Sequence, residues 1–380
     1  MKEKSKRRIL FISNGFYPKV RGAEKQMEFL ARHFQKEGHQ VEVLTLKYQK
    51  NLLARENYNG LIINRISYPF IKGLNLLVYL SKFTLYLILN SLKWDVYYIV
   101  IPEYFAFIAS ILGKLFKRTT ILKFTGIGAL GAGYISKLWM SSLLFWGIKK
   151  ADYFIAVSND MKEDLIKYGF DVNKIRLIPN TVNTELYKNI SSEEKNYLKK
   201  ELKFNSDFIG IFVGQLIKIK GVDFLIAAWI EFVKQAKANA NLLIVGEGPE
   251  KENLISLAEN TSNVASIKFL GQRSDVQKLM QISDLYFLPS FTEGLSNTLL
   301  ESMSSGLACV CTDISGNRDL IEDGKTGLLL EAGNIEEIKS RILKIYNDKG
   351  LRRVLGENAR KKIEATCSPP VIYNLYMEIL

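Results

Sequence analysis

The chain has 380 residues, which is too long for one ordinary hydrophobic core and favours two domains. Apolar residues make up 47% and charged residues 24%, so a wholly disordered chain is excluded. The three cysteines have neither zinc-ligand spacing nor the pattern of a disulfide framework, which fits a reducing cytoplasm. A short basic opening leads directly into the apolar run ILFIS, and no signal peptide is predicted.

Positive charge is concentrated in the first half of the chain. Residues 1–185 contain 28 Lys and Arg against 14 Asp and Glu, whereas residues 186–380 contain 24 against 25. The basic half predicts contact with an anionic partner such as a phosphorylated acceptor or a membrane leaflet, although a merely basic surface fits equally well. Nucleic acid ranks last as a partner because no nucleic-acid-binding motif accompanies the charge.

Short β-branched runs alternate with amphipathic stretches, which predicts an α/β fold of parallel strands joined by helices. The predicted strands are, in chain order, Ile9–Ser13, Val41–Leu46, Leu61–Ile66, Val96–Ile101, Thr120–Phe124, Tyr153–Val157, Ile175–Ile178, Phe208–Val213, Leu242–Val245, Ile267–Leu270, Leu285–Leu288, Ala308–Cys311 and Gly327–Leu330. A polar, strandless link at 180–205 separates two Rossmann-like domains, 1–185 and 186–368. A last short helix at 369–380 follows two prolines and is expected to pack back on the first domain.

Two apolar stretches, 74–92 and 96–113, raise the question of a membrane span. The first is interrupted by Lys82 and the second by a proline and a glutamate, so soluble core elements are the better interpretation. The stretch 74–92 and the segment KLWMSSLLFWGIKK at 137–150 also have the composition of helices that lie on a membrane surface. A core helix and an interfacial helix both remain open for these two segments.

The most informative segment for chemistry is 283–306, SDLYFLPSFTEGLSNTLLESMSSG. A strand is expected to end at the proline, and a helix to begin near Ser296, a good N-cap residue. The free N–H groups and the positive dipole end of such a helix attract phosphate, and Gly294 lets the backbone approach a ligand closely. Strand, loop and helix start therefore predict an anion site.

Two glutamates lie in this element, Glu293 in the loop and Glu301 eight positions later, about two helical turns further along. A carboxylate beside a phosphate is repelled unless it accepts hydrogen bonds from hydroxyl groups instead. The pattern therefore fits a diphosphate between two polyols, which describes a nucleotide sugar. Taken alone, two unrelated surface glutamates would explain the spacing equally well.

Other loops support the same interpretation. The segment FVGQLIKIKGV at 212–222 is a strand, a glycine turn and Lys220, a flexible cation suited to a diphosphate. The segment LIVGEGP at 243–249 lacks the third glycine of a dinucleotide-binding motif. In the first domain, Gly22 and the glycine-rich loop at 125–133 also follow strands. Ligands gather at the carboxyl ends of parallel strands, so we expect a site in the cleft between the domains.

The chain resembles glycosyltransferase family 4, the group 1 glycosyl transferases, over nearly its whole length. The resemblance rests on E-x7-E from Glu293 to Glu301 together with FVGQLIKIKG, VGEGP, PNTVNTELY and RGAEK. It implies the GT-B fold, two Rossmann-like α/β/α domains facing across a cleft, with the donor bound mainly by the second domain. It also implies a retaining enzyme that requires no metal and no cofactor beyond its nucleotide-sugar co-substrate.

The resemblance also assigns roles to residues. It implies that Glu293 binds donor-sugar hydroxyls, that Glu301 binds the ribose, and that Lys220 binds the diphosphate, with Glu293 and Lys220 as the catalytic pair. The remaining expected donor-binding residues are Gly22, Gln215, Gly294, Leu295 and Ser296. Candidates on the acceptor side are Arg21, Thr125, Gly126 and Asn180.

Three positions depart from the family pattern. The family usually has Arg where this chain has Gln215, and loss of that bidentate cation should weaken diphosphate binding. Thr125 stands where the family often has His. Arg21 replaces the first glycine of a pair with Gly22, and one hypothesis is that Arg21 restores positive charge near the phosphates.

We expect transfer of a hexosyl unit, with a uridine diphosphate donor as the commonest case, to a glycan or lipid-linked acceptor in polysaccharide or cell-envelope biosynthesis. The expected location is the cytoplasm, with peripheral membrane contact through the basic first domain as an option. The main alternative is a non-catalytic GT-B partner subunit that binds protein or glycan. A nucleotide-sugar epimerase or a sugar phosphorylase on the same fold fits less well, since a phosphorylase normally needs a much longer chain.

Overall fold

The structure of the chain, a computed structural model, describes residues 6–18, 22–67, 75–100, 103–128, 131–259 and 266–380. The chain forms two compact units. The first unit combines residues 1–181 with the C-terminal segment Pro369–Leu380, and the second unit is Val182–Ser368. The domain boundary expected at 185/186 lies a few residues after this division.

The first unit is built on an eight-stranded sheet. Its strands are β1 (Arg8–Ser13), β2 (Gln40–Leu46), β3 (Arg55–Tyr58), β4 (Leu61–Ile66), β5 (Val96–Val100), β6 (Thr119–Lys123), β7 (Tyr153–Ala156) and β8 (Ile175–Leu177). Their order across the sheet is β3-β4-β2-β1-β5-β6-β7-β8. All neighbours are parallel except β3 and β4, which pair antiparallel at one edge.

Helices cover both faces of this sheet. They are α1 (Gly22–Lys36), α2 (Asn75–Leu89), α3 (Tyr104–Leu115), α4 (Ala132–Ile135), α5 (Ser141–Ile148) and α6 (Asn159–Lys167), and the C-terminal helix of the chain, Pro369–Met377, joins them. That last helix packs beside α1, as expected for the segment 369–380. The Tyr98 and Tyr376 hydroxyls lie 2.6 Å apart, and His39 Nε2 lies 3.0 Å from the Tyr373 hydroxyl.

The second unit is built on a six-stranded, fully parallel sheet. Its strands are β9 (Phe208–Val213), β10 (Ala240–Val245), β11 (Ile267–Gly271), β12 (Leu285–Leu288), β13 (Ala308–Thr312) and β14 (Leu328–Leu330). Their order is β11-β10-β9-β12-β13-β14. The helices are α7 (Ser192–Glu201), α8 (Val222–Ala236), α9 (Lys251–Glu259), α10 (Val276–Ile282), α11 (Asn297–Ser304), α12 (Ser315–Leu320), α13 (Ile335–Asn347) and α14 (Lys349–Thr366), so Pro369–Met377 is α15.

One core fills the space between this second sheet and helices α8, α9, α13 and α14. Trp229 is completely buried there and packs against Phe208, Phe232 and Phe287. Aromatic side chains of this size bury the most apolar surface per residue, so the core holds the strands of the sheet in fixed register. The loops at the carboxyl ends of the strands are thereby presented on a rigid base.

The predicted strands are confirmed to within a few residues at their ends wherever the chain is described. Residue 101, the predicted end of the fourth predicted strand (β5 in the structure), lies outside the described residues. The sequence did not predict β3, a short polar strand. The link at 180–205 contains no strand, as expected, but it contains α7, which begins at a capping box formed by Ser191 and Glu194. In the described parts of the chain, no helix is long and apolar enough to cross a bilayer.

Candidate functional site

The strand order of each sheet reverses direction at one place. In the six-stranded sheet the chain starts at β9, moves outward to β10 and β11, and then returns to β12 on the other side of β9. The crossover loops after β9 and β12 therefore leave in opposite directions and open a crevice at the carboxyl ends of these strands, where open α/β sheets bind ligands. Lys220 lies in the first of these loops and Glu293 in the second.

The structure brings Lys220 and Glu293 together in an ion pair. Both side chains are largely buried, with 19% and 12% of their surface exposed. Glu293 Oε1 accepts from Lys220 Nζ and, over 2.8 Å, from the Ser290 hydroxyl. In the described parts of the chain no donor reaches Glu293 Oε2, so this oxygen is free to accept a hydrogen bond from a ligand. The role of Ser290 was not predicted from the sequence.

Backbone contacts between the two loops hold this pair in place. The Phe291 N–H donates to the Ile219 carbonyl over 2.8 Å. Gly221 has a φ of +61°, and a Cβ at this position would lie 2.4 Å from the Pro289 carbonyl oxygen. Only glycine meets both requirements, the left-handed backbone and the close approach. The glycine after Lys220 thus fixes the loop that carries the cation against the loop that carries the carboxylate.

Helix α11 begins at Asn297, four positions after Glu293 and where a helix start is expected. Ser296 is its N-cap, and the Ser296 hydroxyl accepts from the Leu299 N–H over 3.3 Å. Leu295 and Ser296 are buried beneath the helix start. A Cβ at Gly316 would lie 2.1 Å from the Gly294 carbonyl oxygen, so the start of α12 packs directly on the predicted anion loop. The start of α11 thus lies beside Glu293, with the positive end of its dipole in this crevice.

Glu301 lies in the second turn of α11. Its carboxylate is hydrogen-bonded to the hydroxyl of Tyr187, and burial together with this carboxylate raises the pKa of Tyr187. The Tyr187 carbonyl in turn accepts from the Ser304 hydroxyl over 2.6 Å and from Arg360 over 3.3 Å. Tyr187 belongs to the PNTVNTELY segment, so this motif supports Glu301 from the side opposite the loop. The sequence did not predict this contact.

Two further side chains of the second unit bear on the site. Gln215 is exposed in the loop after β9, five residues before Lys220. Ser315 begins α12 beside Gly316, and its hydroxyl is buried with no hydrogen-bond partner in the described parts of the chain. An unsatisfied buried hydroxyl costs free energy, which a ligand oxygen or a water can recover. Ser315 was missed because no local motif surrounds it.

The predicted residues of the first unit lie in separate loops at the carboxyl ends of its strands. Gly22 begins α1, Thr125 and Gly126 follow β6, and Asn180 follows β8. Gln26 of α1 exchanges two hydrogen bonds with the backbone of Thr181, at 2.9 and 3.1 Å, and so ties α1 to the segment after Asn180. The prediction for Arg21 lies outside the described residues.

The first sheet has its own reversal of strand order, between β1 and β5. Asn14 follows β1, Glu103 precedes α3 after β5, and the Asn14 amide donates to the Glu103 carboxylate. A cavity of about 300 Å³ opens beside this pair, lined by apolar side chains of Leu46, Leu76, Tyr79, Leu80 and Phe105. Burial raises the pKa of Glu103. Sequence reasoning missed this pair, since the two residues are 89 positions apart.

The structure also shows a buried lysine that was not predicted from the sequence. Lys123 ends β6, two residues before Thr125, and burial lowers its pKa to about 7. A lysine in an apolar environment loses its proton readily because the charged form is poorly solvated. Across the described residues, no group of three or more His, Cys, Asp or Glu is arranged to hold a metal ion.

Two Rossmann-like units, the second with a cation–carboxylate pair and a helix start at its strand reversal, define the GT-B class of fold. Residues 20–186 match the family model described as Glycosyltransferase Family 4, and residues 193–362 match the model described as Glycosyl transferases group 1. The chain belongs to this glycosyltransferase family.

Curated relatives match part of the chain. N-acetyl-alpha-D-glucosaminyl L-malate synthase of Bacillus anthracis is 30% identical over 66% of this chain and 64% of its own length. UDP-Gal:alpha-D-GlcNAc-diphosphoundecaprenol alpha-1,3-galactosyltransferase of Escherichia coli is 30% identical over 60% of this chain and 59% of its own. The matched region thus spans less than two thirds of the length of either relative.

Solved structures match nearly the whole chain. The crystal structure of Anabaena HepE in complex with UDP has a TM-score of 0.81 and 20% sequence identity and covers 98% of both chains. A glycosyltransferase from Rickettsia africae has a TM-score of 0.80 and 20% identity over 98% of this chain and 97% of its own. At this level of identity the comparison establishes the shared fold.

Proposed function

We propose that the chain is a retaining glycosyltransferase. It transfers a hexosyl unit from a nucleotide-sugar donor, with uridine diphosphate as leaving group, to a glycan or lipid-linked acceptor in polysaccharide or cell-envelope biosynthesis. The observation that carries the proposal is the Lys220–Glu293 pair at the strand reversal of the second sheet, directly before the start of α11. Two relatives named above, a synthase that uses an N-acetylglucosaminyl group and a galactosyltransferase, support the reaction class.

The Lys220–Glu293 pair suits a nucleotide sugar because it contains a cation for the diphosphate and a carboxylate for sugar hydroxyls. Lys220 Nζ can donate three hydrogen bonds and donates one to Glu293, so two remain for diphosphate oxygens. Glu293 Oε2 is free to accept from a sugar hydroxyl, while Ser290 and Lys220 hold Oε1. Glu301 is the proposed ribose ligand, and its hydrogen bond to Tyr187 holds the carboxylate in position. UDP in the crystal structure of HepE supports this choice of nucleotide.

The proposed chemistry relies on electrostatic stabilisation. The bond from the anomeric carbon to the diphosphate oxygen breaks, and a bond from the same carbon to the acceptor oxygen forms on the same face of the sugar. The acceptor proton passes to the departing diphosphate. Lys220 and the N–H groups at the start of α11 stabilise the negative charge that grows on the diphosphate as its bond breaks. The mechanism we propose requires no bound metal or further cofactor.

The acceptor side of the proposal rests on the Asn14–Glu103 pair. An apolar cavity with two converging polar groups suits a molecule that is partly apolar and carries a hydroxyl group. Glu103 would accept a hydrogen bond from that hydroxyl, and the apolar side chains of Leu76 and Tyr79 would contact the apolar part. A lipid-linked acceptor has this chemistry, and we propose a cytoplasmic protein with peripheral membrane contact.

The test is a panel of nucleotide-sugar donors offered to the purified chain together with a membrane extract as the source of acceptor, with products analysed by mass spectrometry. The proposal predicts one preferred donor, a product heavier by one hexosyl residue, and retained anomeric configuration. The absence of any transfer or donor hydrolysis, together with no binding of uridine diphosphate, would instead support a non-catalytic GT-B partner subunit. Gln215 and Thr125, where the family has Arg and His, are the reason to test that alternative.

A further inference from the structure

One face of the first sheet is covered by three neighbouring helices. Helix α3 contacts α2 on one side and α5 on the other. Phe83 of α2 and Phe105 of α3 pack edge to face, with ring centroids 6.1 Å apart, and Gly147 of α5 lies directly against the ring of Phe107. Helices α1 and α15 pack with the side chains of Phe11 and Tyr98 on the other face.

Much of the exposed surface of α2 is apolar, although Ser81 and Lys82 are also exposed on this helix. Tyr79, Phe83 and Leu87 are buried against the unit, whereas Leu77, Leu85 and Leu89, at spacings of eight and four residues, form a stripe on the exposed side. Leu89 is 74% exposed. A surface helix normally has polar residues on its outer side, and a helix apolar all round is normally buried. Within the described residues, Leu77, Leu85 and Leu89 remain exposed to solvent.

The neighbouring helices continue the same surface. Leu115 is exposed at the end of α3, and Trp139, Leu143 and Trp146 are exposed on α5 and the turn before it. Trp139 is 78% exposed. More than half of the large apolar side chains that are exposed in the described residues lie between positions 76 and 146. Apolar patches of this kind on a soluble fold mark interaction surfaces.

The charge on this surface is positive. Residues 75–150 contain nine Lys and Arg but two acidic residues, Asp95 and Glu103. Asp95 is paired with Arg8, and Glu103 faces the cavity beside Asn14. Four exposed lysines of this segment make no ion pair in the described parts of the chain: Lys114 and Lys117 at the end of α3, Lys137 before α5 and Lys150 after it. Lys150 Nζ lies 5.0 Å from the ring of Trp146.

We propose that the α2–α3–α5 face docks on the surface of an anionic lipid bilayer. Exposed leucines and tryptophans with lysines around them are the combination that enters the interface between headgroups and acyl chains. Negative headgroups complement the unpaired lysines, each of which strengthens binding by about fivefold near such a surface. An apolar protein partner or a second copy of the chain would gain nothing from four unpaired lysines.

The docking face adjoins the proposed acceptor cavity. Leu76 of α2 is exposed and also lines the cavity beside Glu103. A bilayer on the outer side of α2 would therefore bring a lipid-linked acceptor to this cavity. This part of the inference rests on the proposed function, whereas the docking itself requires no catalysis.

The experiment uses the two exposed tryptophans as reporters. The chain has four tryptophans, and the other two, Trp94 and Trp229, are completely buried. Vesicles of phosphatidylcholine, with and without phosphatidylglycerol, are mixed with the full chain, and bound protein is measured by sedimentation. Brominated lipids in the same vesicles quench tryptophan fluorescence on contact. We expect binding that requires phosphatidylglycerol and weakens with salt, with quenching that disappears in the variant Trp139→Phe/Trp146→Phe.

Two variants separate the contributions to binding. Leu85→Glu/Leu89→Glu should weaken binding at least tenfold through lost apolar contact and added negative charge, and Lys114→Glu/Lys117→Glu should weaken it by a similar factor. Tyr197→Glu/Val354→Glu is the matched control, because these exposed residues lie on α7 and α14 of the second unit. This control should bind vesicles as the wild type does.

The alternatives give different results. Absence of vesicle binding, or equal binding by the Leu85→Glu/Leu89→Glu variant, would overturn the proposal. Dimers in sedimentation that dissociate in this variant, without vesicle binding, would assign the face to a second copy. Binding of uridine diphosphate is measured for every variant, and it should be unchanged. If the wild type binds the nucleotide but no vesicles, docking alone is refuted, and if the wild type binds vesicles but no nucleotide, the proposed function alone is refuted.

Discussion

Lys220 and Glu293 are 73 positions apart in the sequence and form an ion pair from two different crossover loops. The strand order explains this pairing. The loops after β9 and β12 flank the place where the six-stranded sheet reverses direction, so their residues converge in one crevice. A similar arrangement joins Asn14 and Glu103 at the reversal of the eight-stranded sheet. Each unit thus has a polar pair where a doubly wound sheet is expected to bind a ligand.

Replacing Glu293 by Gln should lower kcat/KM for sugar transfer by at least about 100-fold, because an amide is a weaker acceptor and no longer neutralises Lys220. Binding of uridine diphosphate should change little. The measurement is steady-state transfer with the preferred donor, with nucleotide affinity determined separately.

The matched control is Glu231→Gln on α8, where the carboxylate pairs with Lys339 at the surface. The control should retain wild-type transfer. Wild-type turnover in the Glu293→Gln variant would refute the role given to this carboxylate.

Gly221→Ala should both destabilise the chain and weaken nucleotide binding. The new Cβ meets the Pro289 carbonyl at 2.4 Å, so the loop with Lys220 must move away from the loop with Glu293. Gly324→Ala is the control, since Gly324 also has a positive φ but no atom lies within 4 Å of the added Cβ.

Gly324→Ala should lower the free energy of unfolding by about 1 kcal/mol, and Gly221→Ala should lower it by more. Urea denaturation and calorimetry with uridine diphosphate measure the two effects. Equal losses of stability in the two variants, with unchanged nucleotide binding, would show that the close approach of the loops is unimportant.

Much of the second unit could be predicted from its sequence because its site is encoded in short segments. The loop with Glu293, the N-cap Ser296 and the cation Lys220 all follow strands that the apolar pattern reveals. The general rule that ligands bind at the carboxyl ends of strands then predicts that these loops lie together. The structure adds Ser290, which holds the carboxylate, and Tyr187, which holds Glu301.

The first unit was less predictable. Asn14 and Glu103 have no motif, and only the order β1–β5 brings them together. Strand β3 was missed because its residues are polar and half exposed, so its hydrophobic pattern is weak, and it is held by antiparallel pairing with β4. Sequence patterns identify elements, whereas strand order and pairing depend on tertiary contacts.

Glu103→Gln should raise KM for the acceptor or lower kcat about tenfold and leave uridine diphosphate affinity unchanged. The amide can still contact Asn14 but accepts a weaker hydrogen bond from an acceptor hydroxyl. Initial-rate kinetics with varied acceptor, together with nucleotide titration, separate these effects. An equal loss of nucleotide binding would place Glu103 in a general structural role instead.

Lys123→Met should make the free energy of unfolding of the chain less dependent on pH. Burial lowers the pKa of Lys123 to about 7, whereas an unfolded lysine has a pKa near 10.4. Between these values the unfolded chain binds a proton that the folded chain lacks, so wild-type stability rises with pH across this window.

The free energy of unfolding of the Lys123→Met variant should therefore exceed that of the wild type most below about pH 7. This excess should shrink by about 1.4 kcal/mol for each pH unit above pH 7. Urea denaturation of both chains at about pH 6 and about pH 9 measures the difference. A difference that is the same at both pH values would contradict the low pKa of Lys123.

A calorimetric titration of the full chain with uridine diphosphate tests the central claim most directly. The wild type should bind, and Lys220→Gln should weaken binding by about 10- to 100-fold through loss of a charge-assisted contact to the diphosphate. Lys218→Gln, at an exposed lysine two residues earlier in the same loop, should bind like the wild type. Failure of the wild type to bind the nucleotide, or equal affinity in the Lys220→Gln variant, would contradict the assignment of this crevice to a nucleotide sugar.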